Sequence, residues 1–96
     1  VNKSKLFFKL IEKFKDNHVS LRNLSLSEPD KTLEMLRDRW ISQRKLSSLI
    51  YKLGIFLYEQ DALEGDLTEW LGLMPQYIEE SSALIKTLQK VIDKEI

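Results

Sequence analysis

PDKTLEMLRDRWISQRKLSSLIYKLGIFLYEQDALEGDLTEWLGLM, residues 29–74, decides how the rest of this 96-residue chain is read. It carries both tryptophans, Trp40 and Trp70, and all three glycines. Its apolar positions run Leu33, Leu36, Trp40, Leu46, Leu49, Ile50, Leu53, Phe56 and Leu57, the three- and four-residue spacing of a helix. Leu63, Leu67, Trp70, Leu71 and Met74 resume that stripe. The stretch reads as one long helix or as two helices broken near Gly65, against which the flanking segments pack. Ser27-Glu28-Pro29-Asp30 is a helix start: a capping hydroxyl, a proline suited to a first turn, and two acids at the positive end of the dipole.

Upstream, Lys3 to about Asn17 predicts a basic amphipathic helix with Leu6, Phe7, Leu10, Ile11 and Phe14 on one stripe and Phe8 widening it. Asn17–Ser27 keeps neither a strand nor a helical period for long and predicts a packed connection. Downstream, Gly72 and Pro75 bracket a stop, because the residue before proline avoids helical geometry. The last helix is expected from about Pro75 to Glu95. Its acids lie early and Lys86, Lys90 and Lys94 late, the order the helix dipole favours. The sum is one all-α domain, an antiparallel bundle of three or four helices.

Composition supports that class. The chain is 43% hydrophobic and 31% charged, which is globular rather than disordered. Two prolines and three glycines are too few for an all-β chain, which needs a turn every ~8–12 residues. With no cysteine, disulfides, thiolate catalysis and zinc–thiolate or iron–sulfur sites are excluded. No uncharged run exceeds the nine residues Trp70–Ile78, against ~20 needed to span a bilayer. A cytoplasmic or other intracellular location is therefore expected. A first residue of Val rather than Met is what a segment of a longer protein would show.

Charge is balanced overall and uneven along the chain. Val1–Lys52 holds 12 Lys/Arg against 6 Asp/Glu, and Leu53–Ile96 holds 3 against 9. Basic and acidic helices side by side would neutralise each other internally; otherwise one pole steers a partner or a second copy.

Motifs for chemistry are missing. There is no phosphate loop, no nucleophile elbow and no paired metal-ligand spacing, so neither a cofactor nor catalysis is expected. His18 is the single histidine, which makes neither a metal site nor a triad. Residues Glu59–Asp66 do not form a calcium loop, since Leu63 and Gly65 fall where side-chain oxygens are required.

What remains is binding of another macromolecule. A protein–protein interaction module, as an adaptor, spacer or assembly domain, is the leading expectation. Its candidate anchors are the aromatics Tyr51, Tyr58 and Tyr77 and the cations Arg37, Arg39, Arg44 and Lys45, because aromatics and arginine carry most interface energy. The acids Glu59, Asp61, Glu64 and Asp66 are candidates at the opposite pole. The alternatives are a binder of nucleic acid or anionic surfaces through Lys3–Lys15 and Arg37–Lys45, and a small free-standing inhibitor or immunity-type protein.

Leu36-Arg37-Asp38-Arg39-Trp40, Leu46, Leu49, Leu53, Phe56 and Trp70-Leu71 resemble the seam between two spectrin-type three-helix repeats. The resemblance covers about forty residues. It implies a spacer and docking module of the cytoskeleton whose third helix runs unbroken into the next repeat. The thirty-residue tryptophan interval, Pro75 and the three glycines depart from that pattern.

Overall fold

The computed structural model describes residues 3–27, 33–64 and 68–95. Three helices make up the fold: α1 (Lys3–Ser27), α2 (Leu33–Glu59) and α3 (Thr68–Glu95). No strand occurs among the described residues. The chain is all-α, an antiparallel bundle about 51 Å long and 19 Å across.

One rhythm organises all three helices. The buried positions of α2 are Leu36, Trp40, Gln43, Ser47, Ile50, Gly54 and Leu57, alternating steps of four and three. In α1 the buried Ser4, Phe7, Ile11, Phe14, His18 and Leu21 keep the same alternation. In α3 it runs through Trp70, Met74, Tyr77, Ser81, Leu84 and Leu88. A seven-residue repeat of this kind aligns helices at a shallow left-handed crossing with side chains interlocking.

α2 and α3 lie against each other closely, whereas α1 stands further off. The close approach depends on small residues. A Cβ built on Gly54 would fall inside the Trp70 ring, so the indole lies directly on the α2 backbone. A helix-interior glycine costs about 1 kcal/mol relative to alanine, and burying an indole that is only 3% exposed offsets it. The Gly54–Trp70 contact and the Arg37–Gln89 hydrogen bond set the register. That register brings the fully buried Ser47 level with Tyr77–Glu79, and Trp40 level with Leu84–Lys86.

Three boundaries decide between or depart from the sequence expectations. First, α1 does not stop at Asn17 but continues to Ser27. His18 and Leu21 extend its buried seam, and the Trp40 indole N–H donates to Ser25 Oγ at 3.0 Å. Ser25 in turn donates to the Leu21 carbonyl, so its hydroxyl serves a tertiary contact and not a cap.

Second, of the two alternatives for the long central segment, the structure has two helices, with the break between Glu59 and Thr68, so the two tryptophans stand on different helices. Asp61 adopts a left-handed conformation at φ 54°. Its N–H donates to the Tyr58 carbonyl and that of Ala62 to the Leu57 carbonyl. This is the Schellman arrangement, with Ala62 and Leu57 packed in the same apolar cluster. Aspartate tolerates that backbone better than most side chains. Gly65 and the proposed start at Ser27–Asp30 lie outside the described residues or side chains.

Third, α3 begins at Thr68 and passes through Pro75. An interior proline removes one helical hydrogen bond and crowds the preceding turn, about 3 kcal/mol. Trp70 and Met74 on one side of it and Tyr77 and Ser81 on the other share one seam, and stopping at Gly72 would expose the first two. Burying two large side chains stabilises by roughly 2–3 kcal/mol each, enough to carry the helix through.

The glycines separate packing from propensity. Gly54→Ala drives a methyl into Trp70 and should cost about 1–3 kcal/mol despite better helix propensity. Gly72→Ala points into open space and should gain about 0.5–1 kcal/mol. Urea unfolding of both variants checks this; equal shifts would mean that Trp70 does not rest on Gly54.

Candidate interaction surface

α1 is tied to the α2/α3 pair by long side chains. Phe7 meets the Trp70 ring edge-on at 5.1 Å, and Phe14 lies 5.6 Å from Tyr77. His18 is fully buried, 4.2 Å from the Tyr77 ring and 5.1 Å from Trp40. On the same side Arg22 donates from Nε and Nη2 to the two Glu80 oxygens at 2.7 and 2.9 Å. His18 Nε2 sits 3.4 Å from Glu80 Oε2, too poorly placed for a hydrogen bond, and neither ring nitrogen has a partner among the described residues. At the other end the Glu64 N–H donates to the buried Ser4 Oγ.

This polar joint has defined protonation. Burial pushes the His18 imidazole below its ordinary 6.5; the Glu80 carboxylate opposes that shift and the Arg22 charge adds slightly to it. The Arg22 hydrogen bond holds Glu80 below its ordinary 4.5. The arrangement suits a neutral, packed imidazole. No group of three His, Cys, Asp or Glu among the described residues could hold a metal.

The sequence-predicted anchors divide among separate places. Arg37, Arg44, Tyr51 and Tyr58 recur every seven residues on the side of α2 facing α3. There Arg37 is half-buried, bonded to Gln89 and paired with Asp38. Tyr51 packs 6.3 Å from Trp70, and Tyr58 is exposed. Tyr77 belongs to the core around His18. Glu59 is exposed at the end of α2 and Asp61 and Glu64 beyond it, and Asp66 lies outside the described residues. Arg39 lines the groove between α1 and α2, and Lys45 is exposed. The two basic segments also separate: antiparallel packing sets Lys3–Lys15 beside the second half of α2, away from Arg37–Lys45.

The surface that does assemble is one that the stripe reading assigned to the core. Leu6 is 53% exposed, Leu49 62% and Phe56 57%, with Leu10 and Leu53 also exposed. All five fall on the outer side of the α1/α2 pair. In α2, Leu46, Leu49, Leu53 and Phe56 form a second stripe with its own three–four spacing, offset from the buried one. Leu6 and Leu10 do the same beside Phe7 and Ile11. Toward the far end the face deepens into a groove of about 750 Å³, lined by Leu21, Leu24, Met35, Arg39, Ser42 and Gln43 among others. That second offset stripe was the available sequence signal, since one helix cannot bury two adjacent stripes against a single layer.

Comparison with known proteins found no family model that matches this chain, and no curated protein or solved structure that matches it.

Stability should follow the joint's protonation. A histidine with a lowered folded value contributes fully above about pH 6.5, and that contribution is lost as pH falls through its folded value. Glu80 adds a second decline as pH drops below about 4.5 and through its own lowered value. Urea midpoints between about pH 7.5 and 3 should therefore fall in two stages, and His18→Gln should remove the first. A wild-type midpoint that stays level down to about pH 5 would contradict the buried neutral imidazole.

Proposed function

We propose that this chain is a non-enzymatic protein–protein interaction module, an adaptor, spacer or assembly domain, that docks its partner on the outer α1/α2 face. The observation that carries this reading is the cluster of exposed large apolar side chains Leu6, Leu10, Leu49, Leu53 and Phe56. Soluble monomers seldom display contiguous apolar surface of this sort without an interaction to use it. The cluster spans two helices and continues into a groove, so it is a surface with shape and not a scatter of single residues. A spacer of the spectrin kind or a small inhibitor would work through the same class of helix face.

The nucleic-acid reading draws less support. It needs Lys3–Lys15 and Arg37–Lys45 to act together, and antiparallel packing sets Arg37 and Arg39 beside the last turns of α1, away from Lys3–Lys15. None of the described helices is long and apolar enough to cross a membrane.

Adjacent residues test the reading. Leu49→Glu should change stability by no more than about 0.5 kcal/mol, because Leu49 faces outward. Ile50→Glu should cost about 4 kcal/mol or more, because Ile50 is core. A photo-crosslinking side chain placed at Leu49 or Phe56 in source cells should capture one discrete protein. The same group at exposed Gln76 on α3 should not. Capture of nothing, or of the same mixture from all three positions, would sink the proposal.

A further inference from the structure

The outer α1/α2 face also carries information about what covers it. Four lysines border its apolar half: Lys9 and Lys13 on α1, Lys45 and Lys52 on α2. All four are exposed, and none has an ion pair or hydrogen bond among the described residues. The face runs from Leu6 to Leu24 along α1 and opens into the groove at its far end. Eighteen residues at about 1.5 Å each make it roughly 27 Å long, the length of five helical turns. At its floor Gln43 is nine-tenths buried and its Nε2 has no acceptor among the described residues.

We infer that this face binds a single amphipathic helix of a partner protein, with an apolar stripe flanked by Asp and Glu, which docks as a fourth helix of the bundle. The inference rests on the interaction reading and adds the partner's chemistry to it. A helix laid in a groove between two helices repeats the packing that already joins α2 to α3. Acidic flanks meet the four lysines, which raises the encounter rate and penalises basic competitors. A second copy paired about a two-fold axis along the helices would set eight lysine side chains against one another. A flat anionic bilayer would bridge the groove between α1 and α2 without filling it.

The test is selection of helical peptides by the full chain. The probe is a displayed library of peptides about 20 residues long with a fixed Leu/Ile heptad stripe, the flanks randomised among Glu, Lys, Gln and Ser. Wild-type protein should enrich Glu over Lys at the flanks at least tenfold, a difference of about 1.4 kcal/mol. The double variant Lys45→Glu, Lys52→Glu should shift enrichment toward Lys, while Phe56→Glu, with its helical circular dichroism unchanged, should enrich nothing. Enrichment blind to flank charge overturns the acidic-helix assignment, and so does the absence of any enriched peptide. Binding to phosphatidylglycerol vesicles in place of peptides overturns it in favour of a lipid surface. Self-association in sedimentation that Phe56→Glu abolishes, without peptide binding, overturns it in favour of a second copy. Crosslinking at Leu49 and Phe56 reports separately on the broader reading, so discrete capture with no acidic preference would remove this inference alone.

Discussion

The bundle depends on the interlock of small residues in α2 with aromatic side chains in α3. Gly54 gives Trp70 a seat on the backbone itself, and the buried Ser47 brings no more than a hydroxymethyl to the same seam. The contact fixes the register of the two helices because moving Trp70 along α2 would drive the indole into a Cβ. Once it is fixed, Trp40 finds Leu84, Ile85 and Leu88, and α2 and α3 form a closely packed pair. Ser81 is buried on the same seam without a hydrogen-bond partner for its hydroxyl among the described residues. Its small size serves the approach, at the cost of an unsatisfied polar group.

α1 is held by a different kind of contact. Phenylalanines, a buried histidine and a two-pronged Arg22–Glu80 pair reach across a wider gap. Glu80 is about one-third exposed, so solvent weakens that ion pair, and its value lies more in orientation than in energy. The wider spacing also leaves the outer α1/α2 groove open. The feature that makes α1 the more loosely joined helix is thus the feature that leaves open the face proposed for docking.

The charge pattern looks different in three dimensions. The basic first half of the chain includes both walls of the groove, α1 and α2, whose apolar half is bordered by lysines. α3 begins acidic and takes Arg22 onto Glu80 on the inner side of the bundle. Part of the opposite charge is therefore met internally, and lysines on the outer side remain unpaired among the described residues. Such asymmetry favours partners of one sign on one face.

The all-α class followed from the sequence by itself: helical spacing, few turn residues and no cysteine admit little else. Phe7, Ile11, Phe14, Trp40 and Ile50 were legible as core from the same spacing, and all are buried. Boundaries were less legible, because Pro75 acts against its usual local role only when burial of Trp70 and Met74 is counted. Which of two stripes on α2 faces inward was decided by the tertiary structure alone. Hydrophobicity ranks Leu46, Leu49, Leu53 and Phe56 above a stripe containing Gln43, Ser47 and Gly54. The less apolar stripe is the buried one, because the indole of Trp70 needs the space that Gly54 leaves, and volume complementarity is a property of two helices together.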